Sequence, residues 1–174
     1  MDFINLLAPR LEDIGRMGYW LVLLISFAES IAFIGTVLPG TTLVVFSGLL
    51  AARGHFSLSG LILFAAAGAV LGDALSYFLG TKGVNFFKNE NKLLKLSHLE
   101  RGEEFFRKHG PKSVFLGRFI GFIRPIIPFV AGLSKMNKWT FLFWNISSAI
   151  LWAIFYVLIG YFFGGALDII GKSL

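Results

Sequence analysis

The stretch from Ser113 to Met136, SVFLGRFIGFIRPIIPFVAGLSKM, is apolar enough to enter a lipid bilayer, yet it carries Arg118, Arg124, Pro125, Pro128 and three glycines. Few folds tolerate that combination. An arginine at the centre of a bilayer costs at least about 2.5 to 3.5 kcal/mol on insertion scales, so such residues usually face a bundle interior or a wet cavity and have a partner. Proline lacks an N–H donor, and Pro125 pushes Arg124 out of the α region, so a straight helix cannot run through the segment. Irregular backbone at membrane depth persists only where it is buried in protein or lines a cavity. The stretch therefore predicts a re-entrant helical hairpin with Arg124 at its break, and Gly121, Pro125, Pro128 and Gly132 as the points where the backbone turns. On an unbroken helix the two arginines would lie roughly 240° apart. A bend at Gly121 or Pro125 lets both aim at one anion.

The rest of the chain fits a membrane setting. Of its 174 residues 56% are hydrophobic, 20 are Phe, and the mean hydropathy is +0.74, which points to one integral membrane domain over residues 1–174. The formal charge of +6 borders long apolar segments, so anionic lipid headgroups, not nucleic acid, are the expected neighbours. With no cysteine, thiol and disulfide chemistry are excluded. Asp2, Arg10, Glu12, Asp13 and Arg16 make a mixed N-terminus that lacks the basic start of a cleaved signal peptide. No cofactor motif occurs, and His55, His98 and His109 are too scattered to argue for a metal site.

Along the chain, residues 2–16 repeat Phe3, Ile4, Leu7, Leu11 and Ile14 at helical spacing, which predicts a short helix on the membrane surface. Met17 to Ala52 contains Glu29 as its one acid or base. As a single helix it would measure about 54 Å against a hydrocarbon core of about 30 Å, so it must break. Pro39-Gly40 supplies the break and Thr41 or Thr42 a helix cap, giving a first hairpin with Glu29 on its entering arm. Ser57 caps a helix from Leu58 to about Gly80 that is long enough to span once. Gly68, Gly72, Ser76 and Gly80 form a stripe for close packing, and Asp73 beside it points into the bundle. Residues 81–112 are basic and amphipathic, with a helix between Ser97 and the Gly110-Pro111 stop. Trp139 to about Phe163 is a second span without an ionisable residue, in which Asn145 is the strongly polar side chain.

Residues 17–80 and 113–163 thus share one plan, a broken hairpin followed by a spanning helix. If each hairpin enters and leaves on one side, the single helix between them makes the second start from the opposite face. The fold class expected is all-α, with two inverted repeats and a cytoplasmic loop between them, the design in which broken helices build a midplane site. Glu29, Asp73, Arg118 and Arg124 are the embedded charges and sum to zero, so they are expected to cluster in one partly wet cavity. Arginine suits bidentate phosphate binding and a carboxylate can carry a proton. The predicted mechanism has Arg118 and Arg124 bind an anionic lipid headgroup, with Glu29 and Asp73 as protonatable partners and Thr41, Thr42, Tyr77 and Asn145 as polar support.

Gly117-Arg118-Phe119, Arg124-Pro125, Pro128, Ala131-Gly132, Met136, Phe141, Asn145 and Trp152 resemble the C-terminal signature of the DedA family, also called SNARE-associated or VTT-domain proteins. Phe27-Ala28-Glu29, Leu38-Pro39-Gly40, Leu71-Gly72-Asp73, Tyr77 and Gly80 are similar to its N-terminal half. Many members carry an acid directly after Pro-Gly, where this chain has Thr41, so a proton-relay role at that position does not carry over. The resemblance implies lipid translocation in a bacterial cytoplasmic (inner) membrane, notably of undecaprenyl phosphate or another polyprenyl-phosphate carrier. Phospholipid flipping or scrambling is the alternative within the family. A proton-coupled exporter of small cations or drugs, with Glu29 and Asp73 as its site, is a rival outside it. An enzyme acting on lipid phosphates is disfavoured because no histidine lies in the arginine hairpin to serve as nucleophile or base. Self-association is left open.

Overall fold

The structure, a computed structural model, describes the backbone of residues 2–32, 40–82, 96–121 and 123–172, and the side chains of residue 15 and of 17–32, 40–82, 100–121 and 123–165. Among these the chain is entirely helical. The elements are α1 (Asp2–Ser30), α2 (Gly40–Ala52), α3 (Leu58–Thr81), α4 (Leu96–His109), a 3-10 turn (Gly110–Lys112), α5 (Ser113–Gly117), α6 (Ile127–Leu133) and α7 (Lys138–Lys172). Leu58–Thr81 and Lys138–Gly165 are long and apolar enough to cross a membrane, whereas Met17–Ser30 and Gly40–Ala52 are apolar but shorter.

Several boundaries differ from the sequence expectation. The surface helix expected over 2–16 is not separate, because α1 runs through it to Ser30. A change of hydropathy at Arg16 does not interrupt backbone hydrogen bonds, and nothing there breaks a helix. Pro39 lies outside the described residues, and α2 already begins at Gly40, so Thr41 and Thr42 sit in its first turn and do not cap it. Likewise α4 begins at Leu96, one residue before the expected cap Ser97. In the Ser113–Met136 stretch the non-helical backbone is spread between α5 and α6 and includes Gly121 and Pro125. Pro128 opens α6, in the first helical turn where its missing N–H is harmless. Gly132 is buried inside α6 as a packing position, and the chain turns after it at Lys135, φ 52°.

Small residues decide how the helices meet. Carbonyls of Leu23 and Phe27 on α1 lie where Cβ atoms on Gly68 and Gly72 of α3 would have to be. The step of four on both helices means that α1 and α3 run in the same direction. Gly160 and Gly164 of α7 meet the carbonyls of Val45 and Leu49 on α2 in the same manner, so these two are also parallel. Gly80 of α3 lies against the Phe129 carbonyl, and Gly132 of α6 against the Tyr77 carbonyl. Two apolar clusters flank the middle of the bundle. One gathers Val44, Leu61, Ala65, Trp152 and Val157, and the other Val114, Ile127, Ala131 and Phe141. Phe105 and Phe106 of α4 pack on the second.

Candidate functional site

Between the two clusters lie the charges. Glu29 stands in the last turn of α1 and Thr41 in the first turn of α2. Arg118 follows α5, and Arg124 is in the turn before α6. Asp73 projects from α3, while Asn145, Ser148 and Trp152 form one stripe of α7, spaced three and four residues apart. Ser76 fixes the end of α1: its hydroxyl accepts the Ala32 N–H at 2.8 Å and lies 3.1 Å from the Ser30 carbonyl, groups that a helix end leaves without helical partners. Gly40 lets the start of α2 approach Glu29, because a Cβ there would collide with the carboxylate.

Two ion pairs result. Arg124 Nη1 is 3.0 Å from Glu29 Oε1. The Thr41 hydroxyl bridges the pair, donating to Glu29 Oε1 at 2.6 Å and accepting from Arg124 Nη1 at 3.1 Å. Arg124 Nη2 reaches Ser30 Oγ at 3.4 Å, and the guanidinium lies over the Trp152 ring, 4.3 Å from its centroid, in cation–π geometry. In the second pair, Arg118 Nη2 meets Asp73 Oδ2. The same group donates to Asn145 Oδ1 at 2.6 Å, and Nε donates to Ser148 Oγ at 2.9 Å. Asn145 in turn donates to the Val70 carbonyl at 3.2 Å, so its orientation is set from α3.

All four charged residues are buried, with 3 to 7% of their surface exposed. An arginine snorkelling to a membrane surface is therefore not what Arg118 does. Yet the partners do not use every polar atom. Arg118 Nη1, Arg124 Nε, Glu29 Oε2 and Asp73 Oδ1 are buried without a hydrogen-bond partner. Such groups in low dielectric are expensive unless something satisfies them. Beside them is a cavity of about 90 Å³ with Glu29, Thr41, Arg118 and Arg124 on its polar side. Phe119, Pro125, Trp152 and Tyr156 make the apolar side. Asp73 is not part of the lining and stands behind Arg118. Two guanidinium groups that line one space, each with an unused N–H, have the chemistry to pair with an acceptor-rich anion.

The structure brings Glu29, Asp73, Arg118, Arg124, Thr41 and Asn145 together, and not the other polar residues expected there. Thr42 is exposed. Tyr77 is tied elsewhere: its hydroxyl donates to the Met136 carbonyl and its ring stacks on Phe141, 4.2 Å between centroids at 18°. Ser30, Ser148 and Tyr156 join the site unannounced, and Trp152, named in the sequence among the residues of the family signature but given no role in the site, is 1% exposed against Arg124. Counting three, seven and eleven residues on from Asn145 along the α7 face reaches Ser148, Trp152 and Tyr156. Among the described residues no three His, Asp or Glu side chains are arranged to hold a metal, and His109 Nδ1 lies 3.0 Å from the Phe105 carbonyl.

The VTT domain matches residues 38–162, most of the chain and all of the site except the end of α1. The chain belongs to the DedA family. Its similarity to protein DedA of Escherichia coli strain K12 is 33% identity over 162 residues, covering 91% of this chain and 74% of the relative. To the inner membrane protein YqjA of the same organism it is 34% identical over 165 residues, 94% of this chain and 74% of that one. The inner membrane protein YabI is 35% identical over 153 residues, 85% of this chain and 59% of that one. No solved structure matches the chain. As a DedA-family member with two helices long enough to span, it is an integral membrane protein.

Proposed function

We propose that the protein is a flippase-like transporter of an anionic lipid, most simply undecaprenyl phosphate or another polyprenyl phosphate, in a bacterial cytoplasmic membrane. In this reading Arg118 and Arg124 bind the phosphate, while Glu29 and Asp73 accept protons or counter-charge as it arrives and leaves. The observation that carries it is the pair of buried guanidinium groups, each with an unpartnered N–H, on one cavity. Trp152, against which Arg124 packs, is fourteen residues into the Lys138–Gly165 span, so the Arg124–Glu29 pair stands near its middle. Two short apolar helices beside two long ones suit re-entrant hairpins, and the glycine contacts suit inverted repeats. Gly48 of α2 meets the carbonyl of Val157, three residues before Gly160, and Gly160 meets that of Val45, three before Gly48. Gly80 and Gly132 repeat the relation between α3 and α6, so each hairpin's second arm crosses the other half's spanning helix identically. Lys82, Lys112, Lys135 and Lys138 flank the same ends as α4, which favours that side as cytoplasmic. The relatives named as inner membrane proteins fit this location.

The deciding experiment is translocation of a labelled polyprenyl phosphate in vesicles reconstituted with the purified protein. Movement of intact label between leaflets, without release of phosphate, is expected. Phosphate release instead identifies an enzyme, and proton-coupled cation flux without lipid movement identifies an exporter.

A further inference from the structure

The cavity has a mouth as well as a floor. Gly121 lies on its lining, is exposed, and a Cβ built there meets nothing within 4 Å. Phe119, on one side of Gly121, is 41% exposed, and Tyr156 on α7 is half-buried. Leu151 at 48% and Phe155 at 53% exposure precede Trp152 and Tyr156 in α7, and Leu116 at 42% lies three residues before Phe119. Tyr156 is nine residues short of the end of the Lys138–Gly165 span. An apolar rim at that depth faces hydrocarbon, not water. Such a rim disfavours a hydrated inorganic anion, whereas an amphiphile enters with its apolar part left outside.

We infer that this opening, bounded by Phe119, Gly121 and Tyr156, is a lateral portal that passes the apolar chain of a phosphate ester while its phosphate rests on Arg118 and Arg124. The polar floor and apolar wall meet at Trp152, whose ring carries Arg124 on its face and contacts Tyr156 at 5.6 Å between centroids. The first carbons of the bound chain therefore lie on the Trp152–Tyr156 wall, and the remainder leaves past Gly121. The ligand is then an anion that carries an apolar substituent, in preference to free phosphate. This inference rests on the anion-binding reading of the site and adds the direction in which the ligand is attached.

The test is titration of the full chain in nanodiscs with farnesyl phosphate and, separately, with inorganic phosphate, using calorimetry corrected for empty discs. Wild type should bind farnesyl phosphate more tightly than inorganic phosphate. Gly121→Trp puts bulk where a Cβ meets nothing within 4 Å, and should weaken farnesyl phosphate binding at least about tenfold, by a larger factor than it weakens inorganic phosphate. Tyr156→Ala should weaken the farnesyl ligand by roughly two- to tenfold, the scale of one aromatic contact, and Tyr156→Phe should retain it. Undiminished farnesyl phosphate binding by Gly121→Trp overturns the portal, as does equal affinity of the two ligands for wild type. Failure of wild type to bind either ligand sinks the anion-binding reading itself, and the portal with it.

Discussion

Glu29 and Arg124 are 95 residues apart in sequence and 3.0 Å apart in the fold, with the Thr41 hydroxyl bonded to both. The pair joins the end of α1 to the turn before α6, so elements remote in the chain are held together by the groups proposed to carry substrate. Replacing Glu29 by Gln or Arg124 by Gln leaves one charge buried without its counter-ion and removes a charge-assisted hydrogen bond. Lipid translocation in vesicles, normalised to the amount of folded protein, should fall by at least about tenfold. The double variant restores neutrality and should not restore transport. Full activity of both single variants would refute the assigned roles.

Asp73 acts differently, because it stands behind Arg118 and not on the cavity. Asp73→Asn leaves a buried guanidinium with only the neutral partners Asn145 and Ser148. Breaking one side of a buried pair costs about 3 to 5 kcal/mol, so denaturant unfolding in mixed micelles should show that loss. An unchanged midpoint would mean that the Arg118–Asp73 pair does not hold α5 to α3.

The bridging hydroxyl has its own signature. Thr41→Val keeps the side-chain shape and removes the donor to Glu29 and the acceptor for Arg124, and should destabilise by about 1 to 3 kcal/mol. Thr41→Ser keeps the hydroxyl and should stay near wild type in both stability and transport. Equal behaviour of Val and Ser in unfolding experiments would remove Thr41 from the network.

The glycine crossings predict paired defects. A Cβ at Gly160 or at Gly132 would be driven into a carbonyl of the facing helix, Val45 or Tyr77 respectively. Gly160→Ala and Gly132→Ala should each destabilise by about 1 to 3 kcal/mol, the usual scale of overpacking, and by similar amounts if the two crossings are equivalent. Gly121→Ala, with open space around it, should be neutral in the same assay. A harmless Gly160→Ala would show that α2 and α7 are not in close contact.

Much of this was legible in the chain. Two embedded arginines with prolines among apolar residues rule out a plain span, whatever the tertiary context, because backbone donors and charges cannot be left in hydrocarbon. The same constraint selected Glu29 and Asp73 as their counter-charges. The Gly68–Gly80 spacing announced close packing, but not that it serves two partners, α1 at one end and α6 at the other. Helix limits were less legible: hydropathy marks where a helix changes surroundings, and only a breaker or a competing hydrogen bond ends it. Hence α1 runs through Arg16, and Thr41, expected to cap α2, gives its hydroxyl to Glu29 instead.

By itself the sequence determined that charges must be buried in an apolar helical protein and that they must neutralise one another, since composition fixes the sum and desolvation penalises any remainder. Tertiary structure alone decided who pairs with whom, Arg124 with Glu29 and Arg118 with Asp73. It also recruited Trp152, Ser148 and Tyr156, whose residue types are ordinary in a spanning helix. Those choices depend on which faces of α1, α3 and α7 are turned toward the arginines. The faces are set by carbonyl-to-glycine contacts between helices remote in sequence, which no local pattern encodes.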